Sequence, residues 1–223
     1  MGIIERKERE KEHRREEIIN AAEKVFFEKG LQLATMDEIA EKAELGKSTL
    51  YLYYKSKEDL YLAVLMRGSQ ILYEVFEKAL SSGEPTMKLV ANLGEAYYDF
   101  FKEHRNYFRM FHFFENPQLH KQVSEEMMQL CSTSNGRIWN LIVELIQRGV
   151  REGVIQKNLD PMQVAVMLWS NSNGLMRQMD REDTYWKDKM GIDLEATLRL
   201  TNSLLLEAIM TDEAKAKYPE FVI

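Results

Sequence analysis

Apolar residues recur along most of this chain at the three- and four-residue spacing of helices buried on one side. Ile18, Ala22, Val25 and Phe26 form the first such stripe, and Gly30 is placed to end it. A longer helix is predicted from Lys57 to about Ser81, with Leu60, Val64, Ile71, Leu72, Val75 and Leu80 turned inward. Ser-Ser-Gly-Glu-Pro at 81–85 breaks it, and Pro85 suits the first turn of a helix that ends near His104. A short aromatic helix follows. Asn116-Pro117 marks another start, and residues 117–153 read as one long helix, bent near Gly136. Asp160-Pro161 is a further cap and first turn, for a helix to about Asp180. A polar loop then leads into a last helix from Asp193 to Met210. No stretch alternates as a strand does. The pattern predicts an all-α chain of nine or ten helices.

Residues 35–57, TMDEIAEKAELGKSTLYLYYKSK, stand apart because their spacing is that of a motif. Thr35 can cap a short helix, and Glu38 can reach back to close a capping box. Ile39, Ala40 and Ala43 give that helix a small apolar face, and Glu44-Leu45-Gly46 supplies a turn. A second short helix spans 47–54, and Ser56 with Asp59 caps the long helix after it. Helix, short turn with Gly, helix is the helix-turn-helix arrangement, whose second helix enters the DNA major groove.

These residues resemble the DNA-binding segment of the TetR family of bacterial transcriptional regulators. The resemblance is carried by Thr35, Ile39, Ala40, Ala43, Thr49-Leu50-Tyr51, Tyr53-Tyr54 and Lys55-Ser56-Lys57-Glu58-Asp59-Leu60. Ile18-Ile19, Ala21-Ala22, Phe26-Phe27 and Gly30 match the family's first helix, so the likeness covers roughly the first quarter of the chain. The chain departs from the family in having Glu44 where a turn glycine is usual and Gly46 at a frequent serine cap. On the second helix it has Ser48 at the usual small residue and Tyr53 at a frequent histidine. The resemblance implies that Lys47, Ser48 and Thr49 face base edges while Thr35, Tyr51, Tyr53 and Lys57 hold phosphates of a double-stranded operator. Gly46-Lys47-Ser48-Thr49 is also the tail of a phosphate-binding loop. That loop needs glycine where Glu41 stands and a preceding strand, and here a helix precedes.

Charge at first argues against DNA: the 223 residues carry a net −6. Residues 1–57, however, hold 12 basic and 12 acidic side chains, so the whole deficit lies in 58–223. The chain therefore divides into a DNA-binding domain at 1–57 and a larger helical body at 58–223. Residues 5–17 hold six basic and six acidic residues and read as a solvated extension of the first helix rather than a DNA-gripping arm. A single cysteine, Cys131, excludes an intrachain disulfide and suits a reducing compartment. With no signal-like or membrane-length apolar run, the expected location is the cytoplasm. His13, His104, His112 and His120 lack metal-ligand spacing with one another or with Cys131. No nucleophile elbow, zinc-protease or dinucleotide motif is present. Neither enzyme activity, cofactor nor metal is expected.

The body is rich in aromatic residues and methionine. Tyr97, Phe101, Met110, Phe111, Phe114, Met127, Trp139, Met167, Trp169 and Met176 can each be core at helical spacing, or line an adaptable apolar pocket. Asn171 and Asn173 beside Trp169 put amides into an apolar helix, where a ligand could satisfy them. TetR-like proteins keep an effector pocket in this part of the fold. An apolar or amphipathic effector is therefore expected at Tyr97, Phe101, Met110, Phe111, Phe114, Met127, Trp139, Trp169, Asn173 and Met176. The last helix is apolar over a wide arc, and Ala165, Ser170, Ser172 and Gly174 on the one before are small enough for close approach. A homodimer interface through Leu198, Leu205 and Ile209 is expected, as in TetR-like proteins; a larger monomer core is the alternative. The expectation is a dimeric repressor on a near-palindromic operator, its reading helices about 34–36 Å apart. An effector in the body would release it through the helix that starts at Lys57. A constitutive DNA binder and an all-α enzyme are the rival readings.

Overall fold

Side-chain caps set most of the helix starts. In the computed structural model, which describes residues 3–223 and the side chains from Glu5 onward other than that of Asp183, the chain is all-α. The first helix, α1 (Ile3–Leu33), takes in the charged run 5–17, laced by Arg6–Glu10 and Arg14–Glu17 pairs at 2.8 and 2.7 Å. Gly30, at φ 72° and ψ 170°, breaks it three residues before its end. Then come α2 (Met36–Lys42), α3 (Lys47–Tyr53) and α4 (Lys57–Leu80), the last capped by Ser56, whose Oγ accepts the Asp59 N–H at 3.0 Å. Next are α5 (Thr86–Glu103) and α6 (Arg105–Phe114).

The single long helix expected over 117–153 is two. Asn116 caps the four-residue α7 (Pro117–His120), and a turn leads to α8 (Glu125–Arg151), which runs unbroken through Gly136. Ser124 caps α8, its Oγ accepting the Met127 N–H at 3.3 Å, while the buried carboxylate of Asp59 accepts the Ser124 N–H at 2.7 Å. Asp160 caps α9 (Pro161–Met190), which continues beyond Asp180, through a break at Glu182, to a left-handed Gly191. Asp193 caps α10 (Leu194–Ile209), and α11 (Asp212–Lys217) with a 3-10 turn at Pro219–Phe221 closes the chain. The described residues thus hold eleven α-helices and one 3-10 turn, the extra ones too short to show a period. An isolated bridge pairs Ile155 with Met210.

The helices form two compact units. One takes in the chain up to Gln70 together with Arg105–Asn135, the other Ile71–His104 together with Gly136–Ile223, so α4 and α8 each contribute to both. These units cut the chain differently from a boundary at 57/58. In the first, Ile18, Ala22, Val25 and Phe26 are buried with Ile39, Leu50 and Leu60, and Phe26 meets the Tyr61 ring edge-on at 5.2 Å. In the second, α10 lies on α9 and α5, over a core that includes Leu89, Phe100, Ile146, Met176 and Leu198.

Candidate functional site

The motif at 35–57 is built from its own caps. Thr35 Oγ1 accepts the Glu38 N–H at 3.2 Å and Glu38 Oε2 accepts the Thr35 N–H at 3.1 Å, which closes the capping box. Lys29 Nζ sits 2.5 Å from the other Glu38 oxygen, and this hydrogen bond, with that from Thr35, holds the Glu38 carboxyl below its usual range. The turn is tight: Leu45 N–H reaches Ala40 O at 2.9 Å, and Glu44 takes a left-handed conformation at φ 56°. Gly46 caps α3 with no side-chain hydrogen bond.

α3 is anchored by fully buried Leu50, and Tyr54 just beyond it is buried too, its hydroxyl pushed up to about 12 by loss of solvent. The opposite face is open. Lys47 and Ser48 are exposed, Tyr51 is 47% exposed and Leu52 84%, while Thr49 and Tyr53 are half-buried. Leu52 gives no signal in the sequence, because a seven-residue helix is too short to show which of its two leucines, Leu50 or Leu52, faces outward. Two of the expected cations already have partners. Lys47 Nζ lies 2.7 Å from Asp37 Oδ1, a hydrogen bond that raises its pKa, and half-buried Lys57 donates to the Ala34 carbonyl at 2.9 Å. Lys57 thereby ties the start of α4 to the chain just after α1. Lys55, 3.2 Å from Glu126, remains exposed.

The second unit holds a cavity of about 380 Å³. Its apolar wall comes from Phe76 on α4, Val90, Leu93 and Tyr97 on α5, Ile142 and Ile146 on α8, Ala165, Leu168 and Trp169 on α9, and Leu206 on α10. Ser172, Asn202, Ser203, Glu95, Arg199 and Glu220 add polar atoms. Of the ten residues expected at an effector site, Tyr97 and Trp169 line this cavity. Two others stand behind them: Asn173 Oδ1 accepts the Tyr97 hydroxyl at 2.7 Å, and Trp139 meets Trp169 edge-on at 5.5 Å. Phe101 and Met176 are core of the same unit. Met110, Phe111, Phe114 and Met127 belong to the first unit, so the ten residues do not form one pocket. Asn171 and Asn173 each keep a buried amide nitrogen without a hydrogen-bond partner. Aromatic density marks core and pocket alike, whereas most of the apolar lining is plain aliphatic.

A sequence model of the family described as bacterial regulatory proteins, tetR family, matches residues 18–64, from the first apolar stripe into α4. The transcriptional regulator YhgD of Bacillus subtilis is 30% identical over 158 residues, covering 70% of this chain and 78% of YhgD. The chain belongs to the TetR family. A second relative, the transcriptional activator FasR of Mycolicibacterium smegmatis, is 35% identical over 133 residues, 59% of this chain and 60% of FasR. The transcriptional regulator FadR from Bacillus subtilis, solved with stearoyl-CoA, shares the fold at a TM-score of 0.65 and 20% identity, covering 86% of this chain and 98% of that one.

The protein is thus a TetR-family helix-turn-helix transcriptional regulator, in a family of DNA-binding regulators rather than enzymes. Among the described residues no group of three or more His, Cys, Asp or Glu could hold a metal ion, and no helix is long and apolar enough to cross a membrane. The TetR-family chain covers two of its three expected dimer residues itself: Leu198 and Ile209 are each 2% exposed, and Leu205 is half-buried. Exposed instead are Leu200 and Leu204 on α10 and Met162, Val166 and Met167 on α9.

Proposed function

We propose that this regulator is a dimeric repressor that docks two α3 helices in successive major grooves of a near-palindromic operator and is released by a small apolar or amphipathic effector. On this reading residues 1–57 serve DNA binding, and 58–223 serve effector binding and dimerisation. The observation that carries it is the apolar cavity of about 380 Å³ in a unit to which α4, the helix capped at the end of the DNA-binding motif, also contributes. That volume is of the size that holds small ligands. The long acyl chain of the stearoyl-CoA bound by Bacillus subtilis FadR supports an effector with an apolar tail. An effector acts only through its difference in affinity for the two states, so it must fit the released conformation better.

At the DNA, Lys47, Ser48 and Thr49 open α3 toward base edges, and exposed Leu52 suits a thymine methyl group. Thr35, Tyr51, Tyr53 and Lys55 approach phosphates, and Lys57 acts chiefly by holding α4 to the residues after α1. Lys47 must exchange Asp37 for DNA as it docks. The test is operator binding by fluorescence anisotropy on fragments selected from the source genome. Lys47→Ala is expected to weaken binding and to flatten the salt slope by about 0.9 if its contact is a phosphate, or to alter base preference at unchanged slope if it reads a base. Unchanged affinity, slope and preference would sink the docking. Loss of the protein should raise transcription of its target; a fall would make it an activator, like FasR.

A further inference from the structure

We infer that the cavity in the second unit selects against negatively charged ligands, so that the effector is an apolar molecule whose polar end is uncharged or cationic. This rests on the proposed effector reading and sharpens it. Among the described residues, three charged ones line the cavity: Glu95, Arg199 and Glu220. Glu95 and Arg199 are about half exposed, at 48% and 51%, and Glu220 is exposed, which places the charged part of the lining at the mouth rather than in the apolar interior.

Arg199, the cation among the described lining residues, is already committed. Arg199 Nη1 lies 2.7 Å from both oxygens of Glu95, and its Nη2 donates to Glu195 at 3.1 Å. Glu195 is fixed in turn by the Tyr98 hydroxyl at 2.7 Å, a hydrogen bond that, with Arg199, holds its carboxyl below the usual range. Arg199 therefore meets two carboxylates, and Glu220 adds a third negative charge. A carboxylate or phosphate ester entering this mouth must displace a glutamate from Arg199, and it still faces net negative charge. A hydroxyl or carbonyl meets no such opposition and finds hydrogen-bonding groups in Ser203 and Asn202, while an ammonium group gains from the excess of glutamate. At the dielectric of a protein surface, one uncompensated charge within several ångströms alters affinity by at least about tenfold.

The experiment titrates the full-length protein by calorimetry with four probes of one chain length: decanol, decyltrimethylammonium, decanoate and decanoyl-CoA. Operator release is followed in parallel. Decanol and decyltrimethylammonium are expected to bind at least tenfold more tightly than decanoate and decanoyl-CoA. Raising salt from low to high should narrow that gap, since repulsion at an exposed mouth is screened. Glu95→Gln, which keeps the shape but removes one carboxylate, should raise the decanoate-to-decanol affinity ratio at least fivefold. Equal or tighter binding of decanoate or decanoyl-CoA by the unaltered protein would overturn the charge selection while leaving the effector reading in place. Failure of all four probes to bind or to release operator would overturn both. The salt series needs no variant, so it decides the matter even if Glu95→Gln does not fold.

Discussion

At Glu44 the backbone enters the left-handed region, φ 56°, which costs a non-glycine residue about 1–2 kcal/mol. Glycine would avoid that steric cost but lose about 0.5–1 kcal/mol in chain entropy. Glu44→Gly is therefore expected to raise stability by up to about 1 kcal/mol in chemical denaturation. Glu44→Ala, which removes the charge but keeps Cβ, should leave stability nearly unchanged. If alanine stabilises as much as glycine, charge and not backbone is responsible. A few residues away, Glu38 makes a pH prediction. Its carboxyl is held below 4.5 by Lys29 and the Thr35 N–H, so its contribution is fully present above the unfolded value and is lost as pH falls through the lower folded one. Glutamine at 38 keeps the capping box but cannot titrate. Acid titration of thermal midpoints should show a shallower fall below pH 4.5 for Glu38→Gln than for the unaltered protein; parallel curves would remove Glu38 from the acid response.

Between elements, α6 comes close against α4 at Gly68. A Cβ there would stand 2.4 Å from Tyr107 Cδ1 and 2.9 Å from Cγ, so α6 reaches α4 only because this residue has no side chain. Tyr107 in turn donates to Glu23 of α1, which also accepts from Arg67 at 2.9 Å, and Arg67 holds Glu16 at 2.6 Å. One glycine thus lets a hydrogen-bonded cluster join α1, α4 and α6. Alanine favours a helix over glycine by about 1 kcal/mol, but overpacking costs about 1–3 kcal/mol, so Gly68→Ala should destabilise. Gly136→Ala on α8, where a Cβ meets nothing within 4 Å, should stabilise by up to about 1 kcal/mol. Thermal midpoints moving the same way in both variants would defeat this argument. Neither outcome is visible in the sequence, where both residues are simply glycines within helices. What the sequence does reveal at this scale are caps, because Thr35, Ser56, Asn116, Asp160 and Asp193 bond to the backbone two or three residues on. The end of α9 is not legible there, since the mostly polar residues beyond Asp180 have no apolar period to extend. Nor is the α7–α8 break, since a cap such as Ser124 within a polar stretch resembles helix surface.

Over the whole molecule, local signals were legible and assembled ones were not. The helix-turn-helix lies in 23 consecutive residues, 35–57, so its caps and anchors sit within the reach of pattern. The cavity draws Phe76, Leu93, Ile146, Trp169 and Leu206 from five helices, and only the fold makes them neighbours. The same distinction bears on the proposed dimer contact. Leu198 and Ile209 face inward, whereas Leu200 and Leu204 stand 52% and 48% exposed, one turn apart on α10. Met162 and Val166, also one turn apart on α9, are 47% and 42% exposed, and the same row continues through exposed Ser170 and Gly174. Two adjacent helices that both present apolar and small residues outward form a surface suited to a second copy, through four helices. Leu204→Glu is then expected to run as a monomer in sedimentation and to lose tight operator binding, with the subunit's own stability changed by no more than about 0.5 kcal/mol. Leu198→Glu should behave in the opposite way, because a charge at a buried site costs several kcal/mol and unfolds the subunit itself. A folded Leu204→Glu dimer would place the contact on another face. An unfolded Leu204→Glu subunit would mean that this side chain belongs to the core after all.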